Sequence, residues 1–186
     1  MSEPNLERMN LLTLPNSLSL SRIALIPVIA WAILAGAGEV AIGVFCFVVV
    51  TDVLDGLIAR RSQQVSHIGT LLDHGSDAVF VTAVSTVCAY LGLLPPLLPL
   101  LIAIAFIQYL LDSHVLEGAS FRRSRLGRCN GIAYFVVTVL AVVVHHYAND
   151  AVFVSAVRTL GWLLVATTLV SIAERTIHSL HVRRMR

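Results

Sequence analysis

From Ala78 to Leu111 the chain carries no charged residue. That is too long for one ordinary membrane helix, which needs about 20 apolar residues. Pro95-Pro96 divides the run, because proline removes a backbone donor and disfavours helix in the residue before it. The run therefore reads as two helices. The whole chain agrees: 57% hydrophobic, 13% charged and mean hydropathy +0.84 over 186 residues is membrane composition, not soluble globular composition. The same reading along the chain gives six spans, at roughly 20–37, 40–59, 69–94, 97–115, 130–147 and 152–175. Leu11, Leu12, Leu14, Leu18 and Leu20, mixed with polar residues around Pro15, read as an interfacial helix leading into the first span. A signal peptide ending near Ala35-Gly36-Ala37-Gly38 is the alternative for the first apolar segment. The long, acid-bearing start and the five later spans speak against it. The expected fold is an all-α membrane protein with six transmembrane helices and an N-terminal interfacial helix. Residues 1–186 are expected to form a single domain.

All 13 positive residues are arginine, and the net charge is only +2. The total makes no case for a nucleic-acid partner. With six spans both termini share a side, and every arginine except Arg158 falls on that side. The positive-inside rule then places both termini in the cytoplasm of a multi-pass protein, expected in a bacterial inner membrane. Cys46, Cys88 and Cys129 form no C-x-x-C pair and read as small packing residues.

Four of the six aspartates fall between positions 52 and 77. On a helix, Asp52, Asp55, Gly56, Ala59 and Arg60 share one face, since their offsets are three, four, seven and eight. Gly69, Asp73 and Asp77 share a face in the same way. Two helices joined by a short basic turn would bring the four carboxylates together. Clustered carboxylates resist ionising together. Hard divalent cations remove that penalty, and Mg²⁺ or Mn²⁺, as two ions, suits oxygen ligands beside a phosphate. The glycines leave room near the backbone, and Arg60 adds a positive charge that suits a phosphate. Intramembrane acids are functional by default. A structural polar network, or an ion path in a cation or proton transporter, is the competing reading of the same acids.

The stretch matches every fixed position of the pattern D-x2-D-G-x2-A-R-x8-G-x3-D-x3-D, at Asp52, Asp55, Gly56, Ala59, Arg60, Gly69, Asp73 and Asp77. It resembles the signature of the CDP-alcohol phosphatidyltransferase family. The opening segment Thr13 to Arg22 is similar to that of the phosphatidylglycerophosphate synthases of this family. The resemblance implies a membrane enzyme that releases CMP from a CDP-linked donor and joins the phosphatidyl or phospho-alcohol group to a hydroxyl. It implies metal binding by Asp52, Asp55, Asp73 and Asp77, with Asp77 also the base that takes the acceptor's proton. It implies that Gly56, Ala59, Arg60 and Gly69 line the CDP site, and that the enzyme is a homodimer. The leading expectation is phosphatidyl transfer from CDP-diacylglycerol to a small alcohol, glycerol 3-phosphate first. Leu72-Asp73-His74-Gly75-Ser76-Asp77 instead resembles the corresponding run of choline and ethanolamine phosphotransferases, which use a CDP-amino alcohol and diacylglycerol. His74 and Ala78 stand where phosphatidylglycerophosphate synthases more often carry Pro and Lys.

Outside the motif, Arg122, Arg123, Arg125 and Arg128 read either as residues that only enforce orientation and touch anionic lipid headgroups, or as a phosphate clamp for the acceptor. For the clamp Arg125 and Arg128 are the candidates, because Ser124-Arg125-Leu126-Gly127-Arg128 leads directly into the fifth span. Arg122 and Arg123 lie farther from that anchor. Gln108 and Asp112, one turn apart on the fourth span, read either as the lining of an acceptor pocket or as residues solvated at the membrane interface. His74 reads as a neighbour of the metal site or a surface residue, and His145 and His146 as a wet outer turn. Trp31 and Trp162 read as packing or lipid-facing residues.

Overall fold

The computed structural model describes residues 14–61, 67–115 and 125–184. Within these helices, the side chains of 14–16, 18, 55–61, 67–71, 112–115, 125 and 178–184 lie outside the described set. The described residues form six helices and no strand: α1 Leu14–Leu34, α2 Gly38–Arg61, α3 His67–Tyr90, α4 Leu97–Val115, α5 Arg125–Tyr147 and α6 Ala151–Arg184. Residues 14–20 are the first turns of α1 rather than an element of their own, and 1–13 lie outside the described residues. The sequence-derived spans match these helices in number and order, but two polar segments prove helical. The stretch holding Arg125 and Arg128 is the first turn of α5, and Arg175, Arg183 and Arg184 continue α6. Charged side chains at a helix end reach water without ending the backbone ladder, so hydropathy alone stops the helix too early.

The helices run up and down. α1 packs on α2 and α3, α3 also packs on α4 and α5, and α6 closes the bundle against α4 and α5. Ile29 and Ile33 of α1, Val44 and Val48 of α2, Val84 and Cys88 of α3, and Ala141 and Val142 of α5 fill the interior. Phe45 ties three helices together, edge-on to Phe80 at 5.9 Å and to Phe135 at 5.7 Å between ring centroids. Such pairs contribute roughly 0.5–1.5 kcal/mol each beyond their burial. Cys88 is buried, whereas Cys46 and Cys129 are exposed, so only Cys88 packs as expected of all three.

Two turns at the far end are set by glycine. α1 and α3 both finish with a left-handed glycine, Gly36 at φ 73° and Gly92 at φ 74°. Each turn closes with a hydrogen bond from the following residue to the carbonyl five back, Ala37 to Ala32 at 2.8 Å and Leu93 to Cys88 at 2.9 Å. Arg158, the one arginine off the basic side, donates to the Gly92 carbonyl and clamps this turn from α6. Gly161 lets α6 approach the same turn, since a Cβ there would sit 2.4 Å from Pro95 Cδ. His145 and His146 are not a wet loop. They end α5, and His146 covers Gly38, where a Cβ would meet its ring at 2.7 Å.

Large apolar side chains are exposed on every helix, among them Trp31 on α1, Phe47 on α2, Val79 on α3, Ile107 on α4, Ile132 on α5 and Trp162 on α6. By length and composition, two stretches are clearly able to cross a membrane, Leu126–Tyr147 and Ala151–Ile177. Ser19–Leu34 and Leu97–Leu111 are shorter apolar helices.

Candidate active site

The site lies at the end of the bundle where α1, α3 and α5 begin and α2, α4 and α6 finish. Asp73 and Asp77 sit one turn apart on α3, so helical geometry alone places them on one face. α2 brings Asp52 to them. The three carboxylates each offer an oxygen within 4.8 Å of the others. Their side chains are 50%, 31% and 43% exposed for Asp52, Asp73 and Asp77, so the cluster opens outward rather than into the core. Ser76 is buried between them in sequence and turns its hydroxyl back to the Asp73 carbonyl at 2.9 Å, which keeps it out of the cluster.

Arg22 of α1 reaches the same three acids. Its Nη1 donates to Asp73 Oδ1 at 2.8 Å and to Asp77 Oδ1, and its Nη2 lies 3.3 Å from Asp52 Oδ1. The guanidinium is fully buried. Sequence reasoning counted Arg22 only as one of the cytoplasmic-side positives and as part of the opening segment. The signal available was its position one turn after Ser19 at the polar start of an apolar helix. Nothing local told that it meets acids more than fifty residues away.

The three aspartates line the wall of a cavity of about 970 Å³, large enough for a sizeable organic ligand. Most of the remaining wall is apolar, including Val49, Val81, Ile102, Phe106 and Phe135. Its polar part lies on the other side: Gln108 and Tyr109 of α4, Arg128 of α5, Ser171 and Arg175 of α6. Gln108 donates to the Ile172 carbonyl at 3.2 Å and to Thr176 Oγ1 at 3.0 Å, which ties α4 to α6. Arg175 lies 6.0 Å from the centre of the Tyr109 ring, and Tyr109 in turn stacks with His74 at 6.1 Å. His74 Nδ1 is 3.8 Å from Asp73 Oδ2, so this chain of rings links the acidic and basic walls. Gly127 matters here: a Cβ at that position would meet Arg175 Nη2 at 2.7 Å. Gly131, one turn on, faces open space in the cavity wall.

Of the residues singled out from sequence, the structure brings Asp52, Asp73, His74, Asp77, Gln108 and Arg128 to one cavity. The side chains of Asp55, Gly56, Ala59, Arg60, Gly69, Asp112 and Arg125 lie outside the described residues. So do Arg122 and Arg123 entirely. Arg175 was not singled out as a site residue. A basic residue at the end of a span reads equally well as an orientation signal, and only the packing of α6 on α5 and α4 shows it on the cavity wall.

The family model for CDP-alcohol phosphatidyltransferases matches residues 12–173. The chain belongs to this family. Among curated proteins it is similar to the cardiolipin synthase (CMP-forming) of Rattus norvegicus, 42% identical over 84 residues, which are 45% of this chain and 28% of that protein. The Homo sapiens protein of the same name is 38% identical over 84 residues, again 45% of this chain and 28% of the relative. The Streptomyces coelicolor cardiolipin synthase (CMP-forming) is 33% identical over 101 residues, 51% of this chain and 47% of the relative. The matched segments thus span less than half the length of these relatives.

Proposed function

We propose that this chain transfers a phosphatidyl group from CDP-diacylglycerol to an acceptor hydroxyl and releases CMP. The observation that carries this is the convergence of Asp52, Asp73 and Asp77 on the mouth of a large, mostly apolar cavity. Three carboxylates so close suit a hard divalent cation, and the donor set is all oxygen, as Mg²⁺ or Mn²⁺ requires. Asp52, Asp73 and Asp77 would hold it, with Asp55 completing the set for two ions. Bound there, the cation would neutralise the pyrophosphate and the departing CMP. Asp77 takes the proton of the attacking hydroxyl as its oxygen bonds to the phosphatidyl phosphorus and the bond from that phosphorus to CMP breaks. Gly56, Ala59, Arg60 and Gly69 are proposed to receive the cytidine nucleotide, and the apolar wall to receive acyl chains.

For the acceptor, the names of the relatives move the reading away from glycerol 3-phosphate. Cardiolipin is a phosphatidyl group joined to phosphatidylglycerol, so phosphatidylglycerol is the acceptor proposed here. Its phosphate would meet Arg128 and Arg175, with Arg125 nearby in sequence. The test is an acceptor screen with labelled CDP-diacylglycerol, offering phosphatidylglycerol and glycerol 3-phosphate to the purified chain. Labelled cardiolipin is the expected product; labelled phosphatidylglycerophosphate alone would refute the lipid acceptor. In the same assay, Arg128→Ala and Arg175→Ala should each raise the phosphatidylglycerol KM by roughly 10- to 150-fold, the loss of a charge-assisted hydrogen bond. The KM for CDP-diacylglycerol should stay nearly constant. Unchanged acceptor KM in both variants would remove the clamp.

The apolar side chains exposed on all six helices favour six spans; a single domain over residues 1–186 in a bacterial inner membrane is proposed with them. With arginine gathered at the site end, the site and both termini would be cytoplasmic. Single cysteines placed at 118–124 and at Asn149, in a chain freed of its own cysteines, should label from opposite sides. Labelling of both from one side would contradict this topology. A homodimer is proposed from the family resemblance, and light scattering of the purified protein checks it.

A further inference from the structure

Arg22 has a place in this site that its sequence position does not explain. We infer that it is the positioning residue of the acidic cluster: from α1 it grips one oxygen of Asp52, of Asp73 and of Asp77, and so sets the spacing at which these carboxylates meet a divalent cation. The inference rests on the metal-binding reading given above.

Three observations point the same way. Arg22 is fully buried and absent from the cavity wall, whereas its three partners are part-exposed and line that wall. The guanidinium therefore stands behind the carboxylates as seen from the cavity. Among the described residues, Nη1 meets Oδ1 of Asp73 and of Asp77 and Nη2 lies nearest Oδ1 of Asp52, and each carboxylate has a second oxygen with lone pairs of its own. Finally, among the described residues α1 supplies nothing to the cavity wall, so Arg22 is its route to the site. Ser19, one turn earlier and also buried, points its hydroxyl at the same Asp73 Oδ1 from 3.4 Å.

The residue type fits the task. A planar guanidinium has five donors in a fixed fork and can hold several carboxylates in one arrangement. An ammonium is a compact point charge with three rotatable donors on a flexible stem, so it does not hold its partners in one fixed fork. A buried guanidinium with no partner would be strongly unfavourable, so a role confined to packing α1 would be better filled by an apolar residue. Three carboxylates against one guanidinium leave net negative charge, which Asp55 as a fourth acid would increase, so divalent cations still have charge to meet. Arg22 and the cation are thus complementary partners of the same acids and not substitutes for each other.

Arg22→Lys tests this, because it holds the charge constant and changes only the geometry. Mn²⁺ binding is measured by electron paramagnetic resonance on the full chain in lipid nanodiscs, alongside helix content and the steady-state constants. The wild-type chain should bind Mn²⁺. In R22K the Mn²⁺ Kd should rise about 10- to 100-fold, the usual effect of losing a group that orients metal ligands. At saturating Mn²⁺ kcat should still fall, while the KM for CDP-diacylglycerol moves little and helix content does not change. A wild-type Kd in R22K overturns the positioning role and leaves Arg22 a mere counter-charge. If R22K does not fold, Arg22→Gln takes its place in the same titration. Failure of both to fold at any Mn²⁺ concentration assigns Arg22 to helix packing and overturns the inference. No Mn²⁺ binding by the wild-type chain is a different result: it sinks the metal reading itself, and this inference with it.

Discussion

Replacing Asp77 by asparagine is expected to cut turnover by about 10²–10⁴-fold, the range for loss of a positioned base. That corresponds to roughly 3–5 kcal/mol of transition-state stabilisation. The substitution keeps the size of the side chain and its place on α3, so the cavity should persist. It removes the charge that accepts the hydroxyl proton and abolishes the ion pair to Arg22, leaving at most a hydrogen bond to the amide oxygen. Because Asp77 is proposed both to hold a cation and to take the proton, the loss should reach the upper part of the range. Binding of CDP-diacylglycerol should survive in part, since Asp52 and Asp73 remain and the apolar wall is untouched. Single-turnover kinetics with saturating donor separate the two effects. A rate within a few-fold of wild type would remove Asp77 from the chemistry.

Chelation should have the largest effect of all. Exhaustive treatment with EDTA is expected to reduce CMP release to background, and Mg²⁺ or Mn²⁺ to restore it. Three acids with oxygens within 4.8 Å of one another repel, and the Arg22 guanidinium, which meets them among the described residues, offsets only part of that repulsion. Added next to a pyrophosphate donor, the negative charge would grow further. Without a cation the donor phosphates would be driven from the very wall they must approach. The same treatment has a structural readout: re-adding Mg²⁺ should raise the Tm of the chelated protein, because a ligand that binds only the folded state stabilises it. Full CMP release after chelation, with no Tm response to Mg²⁺, would dismiss a metal-dependent mechanism and reopen the reading of the acids as a structural network or an ion path.

Helical periodicity is local, and what it governs could be read without a structure. Asp73 and Asp77 share a face because they are four apart, whatever α3 packs against. Pro95-Pro96 and Gly92 end α3 and start α4 for reasons of backbone chemistry, and the order of six helices follows from hydropathy and these breaks. The family, too, was legible from eight residues at fixed spacing. Tertiary structure decided which faces meet. Arg22 and Asp77 are 55 positions apart, and although the opening segment that ends at Arg22 resembles one in the family, nothing in α1 tells that its guanidinium meets acids on α2 and α3. Arg175 joins Arg128 on one wall because α6 crosses α5 at Gly127, where the absent Cβ leaves room for the guanidinium. His146 moves from the expected wet turn to a packed cover over Gly38 for the same reason. A lone arginine or histidine at a helix end has the same local chemistry whether it faces water, lipid headgroups or a cavity. Only the close packing of one helix on another selects among these, and it depends on side-chain volumes across the whole bundle.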